Sequence, residues 1–124
     1  MSLLVWNVRG LNKSVRRKDV KNHIKNLSPS IVALLETKVK ENHSAKVLAC
    51  IPKGWAFSNN YTHNAGGRIW VCWNQAVWKF DEVDKCSQHV TLTAKHTGCF
   101  TGIISFVYGD KLIDQQKGLV EKLI

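Results

Sequence analysis

The chain has 124 residues, 44% hydrophobic and 22% charged, a composition that indicates one globular domain and excludes a largely disordered chain. Its apolar runs are too short to span a membrane and its start lacks a signal-peptide pattern, so we expect an intracellular protein without a membrane partner. The net charge is +9, and residues 1–53 carry eleven Lys and Arg against three Asp and Glu, which favours an anionic partner.

Two apolar strands joined by a helix are predicted for the first third of the chain. The first strand, residues 3–6, ends at Asn7, and the second, residues 31–35, is a continuous apolar run that ends at Glu36. A strand–helix–strand unit places its strands side by side and parallel, with a right-handed crossover. We therefore expect Asn7 and Glu36 at the same edge of the sheet, where open α/β sheets bind their ligands.

The connecting helix is predicted over about residues 15–27, with Ser14 as its N-cap. Three apolar positions at helical spacing form a stripe that packs on the sheet: Val20, Ile24 and Leu27. Basic residues lie around the stripe and make a candidate phosphate-binding face: Arg16, Arg17, Lys18, Lys21 and Lys25. The alternative is an ordinary solvated helix face.

The second half of the chain has the pattern of a series of strands separated by turns. We expect strands at residues 55–61, 68–74, 78–80, 89–94 and 99–108, with turns at residues 64–67 and 96–98. Residues 69–73 are apolar on both faces, which predicts a central strand covered on both sides. The last strand places Phe106 and Tyr108 on one face and Ile103 and Val107 on the other, and both faces are expected to be largely buried.

Taken together, these elements predict an α/β fold in which a βαβ start is followed by an antiparallel meander. That arrangement fits half of a four-layer α/β sandwich. The sequence contains no internal repeat, no low-complexity segment and no domain boundary, so residues 1–124 are expected to form one unit.

The chemistry of the predicted sheet edge depends on Glu36 and Asn7. A carboxylate at the exit of a buried strand is costly to bury unless a cation or hydrogen bonds compensate it. Carboxylate and amide oxygens suit Mg²⁺, which usually takes one or two protein carboxylates together with water and phosphate oxygens. The alternative is a solvated Glu36 and an Asn7 that only stabilises a turn.

Four motifs occur in one order along the chain: residues 6–12 (WNVRGLN), 34–38 (LLETK), 66–74 (GGRIWVCWN) and 107–109 (VYG). Together they resemble the N-terminal half of the endonuclease domain of plant non-LTR (LINE-type) retrotransposons. That domain belongs to the endonuclease/exonuclease/phosphatase superfamily and has the DNase I-like fold. The resemblance extends over nearly the whole chain.

The resemblance implies Mg²⁺-dependent cleavage of DNA phosphodiester bonds, with Mn²⁺ as a substitute metal. It assigns Glu36 to the metal, Asn7 to the hydrogen-bond network of the active site, and Tyr108 to the tyrosine near the phosphate. It also implies sequence-independent phosphate contacts with DNA, for which the candidates are Arg9, Arg16, Arg17, Lys18 and Lys38. A retroelement origin implies a nuclear location.

The chain departs from that family after Tyr108. Family members continue into a Gly-Asp-Phe-Asn-type motif and a C-terminal Asp-His pair, which bind phosphate, position the attacking water and act as the general base. Neither motif occurs in residues 109–124. We therefore expect a partial domain that lacks its C-terminal half and is inactive without it. The alternative is a catalytically inactive basic module that binds nucleic acid, or a degenerate fragment without activity.

The cysteines and histidines receive no catalytic role from the sequence. The cysteines lack C-x-x-C spacing and are expected to be free thiols: Cys50, Cys72, Cys86 and Cys99. The five histidines are scattered and are expected to be solvated or structural. Should the chain prove active on its own, the first alternatives for a general base are His89 and His96.

Overall fold

The structure, a computed structural model, describes residues 3–96 and 99–108, with the backbone alone at residues 99–101. Its strands are β1 (Leu3–Asn7), β2 (Ile31–Leu35), β3 (Ala56–Asn59), β4 (Ile69–Trp73), β5 (Trp78–Lys85), β6 (His89–His96) and β7 (Cys99–Val107). The helices are α1 (Ser14–Leu27) and α2 (Ala45–Leu48), preceded by a 3₁₀ turn at Glu41–His43. Of the predicted turn at residues 96–98, residue 96 is the end of β6 and residues 97–98 lie outside the described residues, as do all of residues 109–124.

The strands form two sheets. The first has the order β1-β2-β4-β3 and the second the order β5-β6-β7. β1 and β2 are parallel neighbours joined through α1, so the predicted βαβ unit is confirmed. All residues of β2 and β4 are buried, which confirms the prediction of a central strand covered on both sides.

Two apolar layers hold the fold together because the strands of the first sheet present alternate side chains to opposite faces. One face packs against the second sheet, with Trp73 and Phe106 among the contacts. The other face packs under the helices, where Trp70 lies near Val20 and Ile24 of α1. Each large side chain buried in this way stabilises the fold by about 1.5–3 kcal/mol. The result is a helix–sheet–sheet stack, which is the predicted partial α/β sandwich.

The start and end of α1 differ from the sequence prediction. Ser14 is the first helical residue and Lys13 is the N-cap, with no side-chain cap bond, so the assignment of Ser14 as the cap was wrong by one position. Leu27 is 59% exposed and does not join the predicted stripe. It lies in the last turn, where the left-handed residue Ser28 reverses the chain towards β2.

The outer face of the second sheet is open, and the expectation that both faces of β7 are buried was wrong. Ile103 is 62% exposed, whereas Ile104 and Phe106 on the other face are buried. The neighbouring positions on the open face are polar, and the Thr91 and Ser105 hydroxyls are 2.8 Å apart. This alternation is typical of a sheet with one solvated face. In the described part of the chain, no helix is long and apolar enough to cross a membrane.

Candidate functional site

The C-terminal ends of β1 and β2 meet at one sheet edge, as the βαβ unit predicts. Asn7 is paired with Leu35 in the strand register. The parallel pairing continues past both strands, since the Val8 N–H donates to the Leu35 carbonyl at 3.0 Å and the Gly10 N–H donates to the Glu36 carbonyl at 2.8 Å. Glu36 therefore lies beside the turn that follows Asn7.

The backbone at this edge is strained. Arg9, Glu36 and Lys38 have φ values of 52°, 59° and 56°, in the left-handed region that residues other than glycine rarely adopt. Such conformations cost about 1–3 kcal/mol each and persist only where surrounding contacts hold them. Strain of this kind is concentrated at functional sites, so its presence beside Glu36 and Asn7 supports a functional role for the edge.

The Glu36 carboxylate is partly accessible and paired. Its Oε1 lies 3.2 Å from Lys38 Nζ, and the two side chains are 18% and 49% exposed. An ion pair with an exposed lysine contributes about 0–1 kcal/mol.

The Asn7 side chain accepts one hydrogen bond through its oxygen, and its amide nitrogen is available to a ligand. Its Oδ1 accepts a hydrogen bond from the Arg9 N–H at 3.2 Å, which is the turn-stabilising role left open by the sequence. The Asn7 amide nitrogen donates to no other residue among those described. The side chain can therefore stabilise the turn and offer a donor to an oxygen ligand at the same time.

Arg68 connects this edge to Tyr108. The Arg68 carbonyl accepts a hydrogen bond from the Glu36 N–H, and its guanidinium carbon lies 5.6 Å from the centre of the Tyr108 ring, a cation–π contact. Tyr108 is buried between the sheets at 7% exposure. Residues from both sheets thus meet at one end of the sandwich, and Arg68 joins them.

Sequence reasoning gave Arg68 no role. The signal was present, because Arg68 is the one residue with a formal charge in residues 54–78. An isolated charge in a strand-rich, uncharged stretch indicates a specific partner. The partner of Arg68 depends on the pairing of β2 with β4, and the sequence does not show that pairing.

The turn after Glu36 is anchored to the loop before β4. The buried Thr37 hydroxyl donates to the Gly67 carbonyl, and the Tyr61 hydroxyl donates to the Val39 carbonyl at 2.6 Å. Burial is the main cause that raises the pKa of Tyr61, so this hydroxyl stays a donor at neutral pH. These bonds hold Glu36 in its strained conformation.

A basic groove of about 560 Å³ opens next to this edge. Lys38, Lys40 and Arg68 line it, against the single acidic residue Glu41. Its charge suits a phosphate-bearing ligand. Lys38 also pairs with the Glu36 carboxylate, and the Arg68 main-chain carbonyl accepts the Glu36 N–H, so the groove adjoins Glu36.

The structure separates the predicted DNA-binding residues by their surroundings. Arg9 and Lys38 are exposed at the strained edge, and Arg16 and Lys18 are exposed on α1. Arg17 is half-buried, and its guanidinium forms hydrogen bonds within the protein. Two main-chain carbonyls of the loop before α1 accept bonds from its Nη1 at 3.0 and 2.6 Å, those of Leu11 and Asn12.

The residues at the edge fit a water-rich metal site. Across residues 3–96 and 99–108, no group of three or more His, Cys, Asp or Glu side chains is arranged to hold a metal. Mg²⁺ keeps several of its water ligands and needs only one or two carboxylates from the protein. The carboxylate of Glu36 satisfies that smaller requirement.

Solved structures share the fold of this chain. A humanized D. rerio TDP2 with 14 mutations matches 99% of this chain at a TM-score of 0.62 and 14% identity. The catalytic domain of human Nocturnin with a bound sulfate anion matches 99% at a TM-score of 0.59 and 14% identity. Both proteins have the fold of the endonuclease/exonuclease/phosphatase superfamily. This chain has a partial DNase I-like fold.

A third similar structure is a conserved protein of unknown function from Enterococcus faecalis V583, with a TM-score of 0.65 and 13% identity over 99% of this chain. The chain spans 57%, 60% and 58% of the TDP2, E. faecalis and Nocturnin chains. It therefore corresponds to part of a DNase I-like sandwich, which confirms the predicted fold class. No protein-family model and no curated protein matches the sequence.

Proposed function

We propose that this chain is part of a Mg²⁺-dependent DNA endonuclease of LINE-type retroelement origin, which acts in the nucleus and accepts Mn²⁺ as a substitute metal. Residues 1–124 supply the metal and phosphate contacts, and the rest of the domain supplies the general base. The observation that carries the proposal is the meeting of Glu36, Asn7 and Arg68 at one strained edge of a partial DNase I-like fold.

Each residue has a task in phosphodiester cleavage. Glu36 would hold a divalent cation through its carboxylate, and that cation would supply Lewis-acid stabilisation of the phosphate and the leaving oxygen. The Asn7 amide nitrogen donates to a phosphate oxygen. The guanidinium of Arg68 stabilises phosphate charge from the groove, and the Tyr108 hydroxyl is a further donor to the phosphate.

Metal binding tests the role of Glu36 directly. Removing a group that only orients a metal ligand costs about 10–100-fold in affinity, so we expect Glu36→Gln to weaken Mn²⁺ binding at least about tenfold. Titration calorimetry with Mn²⁺ measures the change. Glu41→Gln is the matched control, because Glu41 is an exposed acid that lines the adjacent groove. Equal Mn²⁺ affinity of Glu36→Gln and the wild type would rule out Glu36 as the ligand.

Plasmid nicking separates the metal site from the complete enzyme. The two histidines that the sequence offers as alternative general bases do not point to this edge. Both ring nitrogens of His89 contact other side chains. The ring of His96 stacks on Trp78, with 4.9 Å between the ring centres. We expect the chain to nick supercoiled DNA no faster than Glu36→Ala, because water attack requires a base. Mg²⁺-dependent nicking that Glu36→Ala abolishes would place the base within residues 1–124.

A further inference from the structure

Three side chains at the turn between β5 and β6 form a continuous hydrogen-bonded row. Cys86 Sγ lies 3.0 Å from His89 Nδ1, and His89 Nε2 lies 3.0 Å from Asp84 Oδ2. A thiol, an imidazole and a carboxylate in this order are the nucleophile, the base and the orienting acid of an activated cysteine. The proposed metal and phosphate contacts use none of the three.

The carboxylate determines where the imidazole carries its proton. In the tautomer of His89 that donates from Nε2 to the Asp84 carboxylate, the lone pair on Nδ1 faces the thiol. His89 is therefore oriented to take the proton of Cys86. The Gln88 N–H donates to Cys86 Sγ at 3.3 Å and stabilises the thiolate that results.

The turn that carries this row is fixed in place. The Cys86 N–H donates to the His89 carbonyl at 2.9 Å. Asn60, which is completely buried, donates from its Nδ2 to the Cys86 and Ser87 carbonyls at 3.2 and 3.0 Å. The Gln88 carbonyl accepts a bond from the Tyr108 N–H at 2.7 Å, so the turn adjoins the candidate site.

Cys86 differs from the buried cysteines in its access to solvent. Cys86 is only half-buried and the side chain of His89 is 32% exposed, so a small reagent can reach the sulfur. Cys50 and Cys72 are buried, and burial raises the pKa of both thiols. A protonated, buried thiol is a poor nucleophile.

We propose that Cys86 is a reactive thiol that exchanges with small disulfides such as glutathione disulfide, which makes the β5–β6 turn a modification site. His89 takes the proton of Cys86, and the thiolate attacks one sulfur of the disulfide. The disulfide bond breaks as the bond between Cys86 and that sulfur forms. The leaving thiolate takes the proton from His89, so one disulfide and one thiol yield one mixed disulfide and one new thiol.

The test is the rate of glutathionylation of the folded chain by glutathione disulfide at neutral pH, mapped by peptide mass spectrometry. We expect Cys86 to react at least about tenfold faster than Cys50, Cys72 or an unstructured cysteine peptide. His89→Gln and Asp84→Asn should each slow Cys86 at least about tenfold, because they remove the base or its orientation. His43→Gln, at an exposed histidine far along the chain, should leave the rate unchanged.

Two further variants distinguish activation from a structural effect. Asp84→Glu keeps a carboxylate beside the imidazole and should retain most of the rate, and Cys86→Ser should abolish modification at this position. Slow reaction of Cys50 and Cys72 in each variant reports that the fold is intact. A wild-type Cys86 no faster than the peptide, or an unchanged rate in folded His89→Gln, would overturn the proposal.

Discussion

Gly67 lies at the point where the loop before β4 meets the turn after Glu36. Its φ is +58°, and a Cβ at this position would overlap the ring of Tyr61. Its carbonyl also accepts the bond from the buried Thr37 hydroxyl. The sequence indicated a turn glycine here, and the contact with Tyr61 gives a second reason why no side chain fits.

Gly67→Ala should destabilise the protein by about 2 kcal/mol or more, because backbone strain and overpacking add. The displaced Tyr61 would also loosen the segment that holds Glu36. Urea denaturation measures the loss of unfolding free energy. The matched control is Gly66→Ala, since a Cβ there meets only the ends of the Asn64 and Arg68 side chains and needs no positive φ. Equal effects of the two substitutions would contradict the packing argument.

The residue-scale predictions succeeded where strand order alone determined the answer. Asn7 and Glu36 share an edge because the two strands of a βαβ unit run parallel, so their C-terminal ends lie side by side. The engagement of Arg17 by loop carbonyls could not be predicted, because the sequence does not show which side of α1 faces that loop. The catalytic, metal and DNA-contact roles of these residues stay predictions.

At the scale of elements, a hydrogen-bonded group of polar side chains joins the two sheets beside the apolar core. The Ser58 hydroxyl of β3 donates to Glu82 Oε1 of β5 at 2.6 Å. Lys85 Nζ contacts the same oxygen and the Asn59 carbonyl, both at 3.0 Å. The hydrogen bond from Ser58, followed by that from Lys85, lowers the pKa of Glu82.

Ser58→Ala should destabilise the protein by about 1 kcal/mol at neutral pH, a modest value because the Glu82 carboxylate is half-exposed and screened. Because the pKa of Glu82 is lower in the folded state, its ionised carboxylate stabilises the fold fully when the pH is above the unfolded-state pKa near 4.5. This stabilisation is lost once the pH has fallen through the folded-state pKa. The difference between Ser58→Ala and the wild type should therefore shrink in acid. Urea denaturation at neutral and acid pH measures it, and a difference independent of pH would exclude Glu82 as the partner.

β5 shows why element lengths were harder to predict than their order. Its sequence turns acidic after Phe80, and the prediction ended there, yet the strand continues to Lys85. Pairing with β6 overrides the low strand propensity of these residues, and the irregularity between Glu82 and Asp84 breaks the alternation that sequence reading relies on. The helical turns at residues 41–48 were missed because they are too short to show a period.

At the scale of the whole molecule, part of the excess positive charge of the first half lies on two surfaces. One is the groove beside Glu36, with Lys38 and Lys40. The other is the exposed side of α1, with Arg16 and Lys18. The second sheet has its own pair, Lys79 and Lys95, which are register partners between β5 and β6. These three pairs remove equal charge when substituted, so they allow a matched comparison.

We expect the affinity for duplex DNA to fall steeply with salt, because binding to phosphates releases counterions. Each lost phosphate contact reduces the slope of log K against log salt by about 0.9, so Lys38→Ala with Lys40→Ala should reduce it by about 2. Arg16→Ala with Lys18→Ala should also weaken binding and reduce the slope. Keeping Arg17 avoids disturbing the loop carbonyls that it binds.

Lys79→Ala with Lys95→Ala should leave the slope nearly unchanged, because phosphate contact depends on position rather than on net charge. Fluorescence anisotropy over a range of salt concentrations measures all three pairs. Equal effects of the three would mean that the chain binds DNA only through its overall charge of +9. That outcome would remove the groove from the proposed interface and leave the Glu36 metal site to be judged by the Mn²⁺ titration alone.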